Sequence, residues 1–110
     1  MGKLLYGGQE FEFADRTLAH IQVVIGIKLR RAENFVLTWT IPASSGGGRY
    51  SIWLDNGVPI GFRYPGGRVP SINREWLETM LHSASSTSGM TVTEEGIIAP
   101  APGELGIPIE

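Results

Sequence analysis

Residues 50–64 read YSIWLDNGVPIGFRY, and this stretch decides the fold that the sequence predicts. Its centre, Asn56-Gly57, favours a tight turn, because both central residues of a type I′ turn need positive φ angles. We therefore predict an antiparallel hairpin of two strands, residues 50–55 and 58–64. A two-residue loop would set the cross-strand pairs Trp53 with Ile60 and Ser51 with Phe62.

Four further strands are predicted around this hairpin. Residues 3–6 and 9–13 flank a Gly-Gly pair and predict a first hairpin, since glycine tolerates positive φ. Residues 35–41 alternate between apolar and polar side chains, which is typical of a strand. A short last strand is predicted over residues 90–94.

Two helices are predicted by apolar residues at helical spacing. The first spans residues 16–32, with Asp15 as the N-cap and Asn34 as the left-handed stop. The second spans residues 74–84, with Asn73 as its N-cap.

The resulting order, ββαβββαβ, predicts a small single domain of the α+β class over residues 1–95. Because the connections are short, we expect a mainly antiparallel sheet with both helices on one face. Residues 96–110 contain several prolines and glycines without a regular period, and they are interpreted as an apolar C-terminal tail.

Composition excludes several classes of protein. The 110 residues contain no cysteine, which removes disulfides and cysteine-based zinc sites. Charged residues make up 18% and the net charge is −2, so the chain is neither disordered by composition nor strongly basic. No stretch resembles a membrane span or a signal peptide, so we expect a cytoplasmic protein without a membrane partner.

Charge is distributed unevenly along the chain. Residues 16–74 hold eight bases and two acids, whereas residues 75–110 hold six acids and no base. Arginine is suited to bidentate phosphate contacts, and Trp39, Trp53 and Tyr64 lie among the arginines as stacking surfaces. The alternative is that the aromatic rings are core and the arginines are scattered over a solvated surface. The candidate nucleic-acid-binding residues are Lys28, Arg30, Arg31, Arg49, Arg63, Arg68 and Arg74.

Apolar side chains exceed what one small core needs. Some lie opposite the main apolar stripe of the first helix or on the second face of the central hairpin, and such surplus usually marks a contact with another subunit or partner. The tail would cover this surface in its own molecule or be donated to a neighbour. The alternative is that another element covers it within the monomer. The candidate interface residues are Val23, Ile27, Tyr50, Ile52, Leu54, Ile107 and Ile109.

The residues that catalysis needs are few. His20 and His82 lie in different predicted helices, and neither stands at metal-ligand spacing from another histidine or an acid. His20 is interpreted as a partly exposed side chain off the apolar stripe. We therefore expect no metal, no cofactor and no enzymatic activity, unless the fold brings either histidine next to a carboxylate in a pocket.

Several segments resemble a family of short, uncharacterised proteins from actinobacteria, over about residues 1–95. Members of that family are often labelled ATP-dependent DNA ligase, which implies an association with DNA. Such ligases form a lysine-AMP adduct in a K-x-D-G motif, and neither Lys3 nor Lys28 stands in one. We therefore expect no ligase activity. The segments that carry the resemblance are residues 1–7 (MGKLLYG), 15–20 (DRTLAH), 28–31 (KLRR) and 73–77 (NREWL).

The sequence thus favours a non-catalytic binding module that contacts nucleic acid or an acidic partner through its arginines. The second hypothesis is a homo-oligomeric or protein-interaction domain that uses the apolar surfaces and the tail. Salt separates the two, since only phosphate contacts weaken steeply as salt rises.

Overall fold

A computed structural model describes residues 1–94, which form two three-stranded sheets and two α-helices. The α+β class and the order of the elements are confirmed. The elements in chain order are β1 (Gly2–Tyr6), β2 (Gln9–Phe13), α1 (Asp15–Arg30), β3 (Phe35–Thr40), a 3₁₀ turn (Ala43–Ser45), β4 (Arg49–Leu54), β5 (Ile60–Arg63), α2 (Arg74–Ala84) and β6 (Met90–Thr91).

The strands divide into two sheets rather than the single sheet that the sequence suggested. The first sheet has the order β2-β1-β5 and is antiparallel throughout, with Leu4 opposite both Phe11 and Phe62. The second sheet has the order β4-β3-β6. In it β3 pairs antiparallel with β4 and parallel with β6, which places Leu37 opposite Met90.

The predicted hairpin between β4 and β5 is wrong, because the two strands belong to different sheets. Trp53 lies opposite Val36 rather than Ile60. Likewise, Ser51 pairs with a residue of β3, and Phe62 pairs with a residue of β1. The segment between the two strands therefore connects sheets instead of closing a hairpin.

The conformation of the Asn56-Gly57 turn explains this difference. Neither residue has a positive φ, so the turn is not type I′. The backbone N–H of Val58 donates to the carbonyl of Asp55 at 3.2 Å, and the Asp55 carboxylate accepts from the Gly57 N–H at 2.8 Å. Asn56 donates its side-chain amide to the Leu29 carbonyl at 2.9 Å, which ties the turn to the end of α1. Contacts with the helix thus hold the turn in a form that does not fold β5 back onto β4.

The core lies where the two sheets meet the two helices. Helix α1 packs against β1, α2 packs against β3 and β6, and the helices contact each other. Aromatic rings of β2, β3 and β4 join the sheets, with Trp39 at ring distances of 5.1–5.2 Å from Phe11, Phe13 and Tyr50. The largest fully buried apolar side chains are Leu4, Leu18, Ile21, Val24, Ile25, Leu37, Leu54, Met80 and Met90.

The helix ends agree only partly with the predicted caps. Asn73 caps α2 as predicted, and its side-chain oxygen accepts from the Trp76 N–H at 3.2 Å. In contrast, α1 already begins at Asp15, because Ala14 is the last residue with extended backbone angles. The left-handed residue after α1 is Ala32, with φ of 58°, and not Asn34. The Asn34 side chain instead accepts from the backbone of the turn before β5, at 3.3 Å.

No helix within residues 1–94 is long and apolar enough to cross a membrane. The predicted tail, with Ile107 and Ile109, lies outside the described residues.

Candidate functional site

The outward side of the second sheet is an open face, which we define by the seven side chains that its strands direct away from the core. Alternation along each strand produces this face, because the intervening residues Phe35, Leu37, Leu54 and Met90 are buried. Five of the seven side chains are exposed and two are half-buried, so this surface is open to solvent. Its residues are Val36, Thr38, Thr40, Arg49, Ser51, Trp53 and Thr91.

Trp53 is the conspicuous residue of the open face, with 59% of its surface exposed. The other two tryptophans are different, since Trp76 is 4% exposed and Trp39 is half-buried among aromatic rings. Indole has a large apolar surface that water solvates poorly, so an exposed tryptophan on a sheet marks a contact surface.

A row of hydroxyl groups crosses the open face next to the pair of Trp53 and Val36. Thr38 and Ser51 face each other across β3 and β4, with their oxygens 2.7 Å apart. Thr91 pairs with Thr38 from the other side. The seven side chains of the open face include one arginine and no carboxylate, which makes the face positive and rich in hydrogen-bond donors.

Two arginines lie on the same surface as Trp53: Arg31 is beside it, and Arg49 is farther away along β4. Arg31, which is exposed, lines a cleft of about 490 Å³ together with Trp53, the Lys28–Glu33 ion pair and the loop after α2. Arg49 lies four residues from Trp53 on the same side of β4, a separation of about 13 Å along an extended strand. The indole therefore lies between two cationic side chains.

Lys28 also lines this cleft, but its charge is already paired. It is 7% exposed, and its ammonium group lies 2.8 Å from the Glu33 carboxylate. The hydrogen bond from Lys28 lowers the pKa of Glu33 below its ordinary value. Because the ammonium is already paired and most of the side chain is covered, Lys28 connects the last turn of α1 to the following loop.

The other predicted arginines are divided among different surfaces. Arg63 lies opposite Lys3 on the outward side of the first sheet, and Arg74 is exposed at the start of α2. Arg30 and Arg68 line a groove on the first sheet's side of α1. The structure thus places Arg31 in the cleft beside Trp53 and Arg49 farther along the same face, whereas Arg30 and Arg68 share the groove.

The groove that holds Arg30 and Arg68 is large and mostly apolar. We call it the apolar groove; its volume is about 900 Å³, and it runs between α1, β5 and the loop over residues 66–72. Tyr64 lies in it, donating to the Gln22 side-chain oxygen at 2.7 Å, and burial raises the pKa of Tyr64 above its ordinary value.

The predicted interface residues are placed in different environments. Val23 lines the apolar groove, whereas Ile27 and Ile52 are half-buried. Tyr50 is 38% exposed. Leu54 is wrong as an interface residue, because β4 directs it inward and it is fully buried in the core.

His20 is fully buried, not partly exposed as the sequence suggested. Its Nε2 accepts from the Asn73 backbone N–H at 2.8 Å, and its Nδ1 lies 2.7 Å from the Arg16 carbonyl. Since a backbone N–H can only donate, the proton is on Nδ1. The ring also packs on Trp76 at 4.3 Å. Both nitrogens are therefore occupied, and the Nε2 bond joins α1 to the start of α2.

Within residues 1–94, no group of three or more histidines, cysteines, aspartates and glutamates could hold a metal ion.

A family model for a domain of unknown function, DUF7882, matches residues 1–95. The chain belongs to the DUF7882 family. The match spans all the helices and strands of the two sheets. Neither the comparison with curated proteins nor the comparison with solved structures found a match.

Sequence reasoning named Trp53 in this DUF7882 domain only as one of three aromatic residues. Trp39 turned out to be part of the junction between the sheets, and Tyr64 is part of the apolar groove. A signal for Trp53 was present, because it alternates with Arg49 and Ser51, and two polar residues on one side of a strand indicate the solvent face. The contribution of Asn34 and the loop after α2 to the cleft had no local signal.

Proposed function

We propose that this protein is a non-catalytic, cytoplasmic binding module that holds single-stranded nucleic acid on the open face of its second sheet. The observation that carries the proposal is the exposed Trp53 between two arginines, on a face whose seven outward strand side chains include no carboxylate. The carboxylate of Glu33, which also lines the cleft beside Trp53, is paired with Lys28. Proteins that bind single strands combine aromatic platforms with cationic grooves.

Each group on the open face would have a distinct task. An unpaired base would stack on the Trp53 indole, an interaction worth about 1–3 kcal/mol per base. Arg31 and Arg49 would contact phosphates on either side of that base, and the hydroxyl pair of Thr38 and Ser51 would donate its one remaining hydrogen to the backbone. Positions 49 and 53 are about 13 Å apart along β4. A face of this length would hold only a few nucleotides of a single strand.

A labelled oligonucleotide tests this proposal by fluorescence anisotropy. We expect saturable binding of a single strand of about 15 nucleotides at about 50 mM salt, weakening at about 200 mM. Trp53→Ala should weaken binding about 5- to 150-fold, which corresponds to one lost stacking interaction. Removing both Arg31 and Arg49 should lower the salt slope by about 1.4, the value for two phosphate contacts on a single strand.

Arg63→Ala is the matched control, because Arg63 is an exposed strand arginine on the other sheet. It should leave binding nearly unchanged. Duplex DNA should bind more weakly, since its bases are already stacked. Absence of binding at low salt, or an equal loss in the Arg63 and Trp53 variants, would contradict the proposal.

A second candidate function is homo-oligomeric assembly through β4, and one observation favours it. Within residues 1–94, β4 pairs only with β3, so its other edge is unpaired. An exposed edge without proline is a template for pairing, and two copies related by a two-fold axis would join into one continuous sheet. Tyr50 and Ile52 would then continue the apolar side of that sheet across the junction.

Light scattering during size-exclusion chromatography tests this assembly. A dimer would have twice the 12.0 kDa mass of the chain, with a population that rises with concentration and changes little with salt. A constant monomer mass over a hundredfold range of concentration would rule out this second candidate.

A further inference from the structure

We propose that residues 104–110 of this chain, Glu-Leu-Gly-Ile-Pro-Ile-Glu, bind in the apolar groove of the same molecule. This inference concerns a different surface from the open face and does not depend on nucleic-acid binding. Three observations support it. The groove and the segment are both apolar, their charges are opposite, and the chain between them is long enough for the segment to reach the groove.

The apolar groove is an uncovered margin of the first sheet. Helix α1 covers the central strand of that sheet, since Leu4 is fully buried, whereas the β5 residues Ile60 and Phe62 are half-buried and line the groove. On its rim Val69 is 85% exposed and Ile72 is 44% exposed. Such a concave apolar surface is typical of a site that another group occupies.

The segment has a matching apolar side. Leu105, Ile107 and Ile109 alternate with other residues, so in an extended chain they would share one face. Seven extended residues span about 23 Å, and the part of α1 that lines the groove, residues 19–30, rises about 17 Å. An extended segment would therefore be long enough to place its three aliphatic side chains along the groove.

Charge complementarity favours this occupant. The residues that line the groove include Arg30 and Arg68 and no acid. The segment carries Glu104 and Glu110, one on each side of its apolar residues. No base follows Arg74 in the chain, so every charge near the segment in sequence is negative. An acidic apolar strand and a cationic apolar groove attract each other.

The described part of the chain ends within reach of the groove. The Thr93 carbonyl accepts from the Trp76 indole at 3.1 Å, and Trp76 lies in the first turn of α2. The cap of that helix, Asn73, directly follows Ile72 on the groove's rim. The nine residues from 95 to 103 can span about 30 Å, which is enough to bring residue 104 to the groove.

Engineered cysteines test this proposal in the full chain, which has no cysteine of its own. The test variant is Val69→Cys with Ile107→Cys, and the control is Thr91→Cys with Ile107→Cys. Both partner positions are exposed, but residue 91 is much nearer to residue 107 along the chain. Without docking, loop closure favours the control pair. With docking, we expect the intramolecular 69–107 disulfide to form on the order of ten times faster than the 91–107 disulfide, because docking raises the effective concentration.

Mass spectrometry would follow the oxidation as a loss of two hydrogens from the monomer. A slower 69–107 reaction than the control reaction would overturn the proposal, as would disulfides found only between molecules, which would mean that the segment docks on a second copy. A charge exchange adds an independent check. Arg30→Glu with Arg68→Glu should slow the 69–107 reaction, and adding Glu104→Arg with Glu110→Arg should restore its rate. Equal rates in the cysteine variant with none, two or four of these charge reversals would show that charge does not attract the segment, and would overturn the choice of occupant.

Discussion

Gly89 is the residue at which a single added methyl group should disturb the second sheet most directly. It precedes β6 and has a φ of +82°. A Cβ atom at this position would lie 2.5 Å from the Val36 carbonyl oxygen and 2.8 Å from the Val36 Cβ. Val36 is held in the central strand between β4 and β6, so its backbone can yield only if the sheet shifts.

The expected loss of stability for Gly89→Ala has two parts. A left-handed conformation costs an alanine about 1–2 kcal/mol, of which about 0.4–1 kcal/mol is offset because alanine restricts the unfolded chain. The steric overlap with Val36 adds about 1–3 kcal/mol, the usual cost of overpacking. We therefore expect a net loss of about 2–4 kcal/mol, a large fraction of the roughly 5–15 kcal/mol that stabilises a domain.

Urea unfolding followed by circular dichroism measures this loss. Gly8→Ala is the matched control, because Gly8 has the same φ of +82° and a Cβ there would meet no atom within 4 Å. The control isolates the backbone part, so we expect it to cost about 1 kcal/mol. If the two variants lose equal stability, β6 does not pack against Val36 as the structure shows, and the reasoning is refuted.

Three further predictions concern the core and the helix ends. Leu54→Ala should lower the free energy of unfolding by about 2–5 kcal/mol without changing the oligomeric state, since Leu54 is a core residue; light scattering checks the second part. Asn73→Ala should cost about 1 kcal/mol through loss of the α2 cap, measured by thermal unfolding. Glu33→Gln should reduce stability at pH 7, because the folded-state pKa of Glu33 is lowered by Lys28. That stabilisation is present above the ordinary pKa of 4.5 and is lost as pH falls through the folded-state value, so wild type and variant should converge in acid unfolding curves.

Elements with local signals could be predicted from the sequence. The β1–β2 hairpin is an example, since Gly7 and Gly8 both adopt positive φ in the turn. The Asn73 cap is another, because its hydrogen bond reaches only three residues along the chain. In both cases the groups that determine the structure are close in sequence.

The pairing of the strands could not be predicted in the same way. Asn56-Gly57 resembles a hairpin turn, but Asn56 donates to Leu29, which is 27 residues away. The parallel pairing of β6 depends on the close approach of Gly89 to Val36, again between distant residues. Local propensity does not contain such contacts, and tertiary contacts overrode it here.

The candidate site shows the same limit. Periodicity identified two sides of β4 correctly, but it could not tell which side the core would cover, so Leu54 was assigned to an interface. Lys28 was likewise assigned to a binding surface from its charge alone. Its ion pair with Glu33, in the loop after α1, could not be predicted from the charge pattern. A charge pattern along the chain predicts how many cations there are and not which of them share a surface.

Both proposed surfaces result from the separation of β4 from β5. If the two strands paired, a single sheet would place both helices on one face, and β5 would lie in the interior of that sheet. Because the strands diverge at Asn56, β5 becomes the margin of the first sheet beside α1, which opens the apolar groove. The same divergence leaves β4 at the margin of a second sheet whose inner side is filled by α2 and the core, so Trp53 faces outward with nothing in residues 1–94 packed over it. The two surfaces are on different sheets, and substitutions in one should therefore leave the other intact, provided that the turn at Asn56 is preserved.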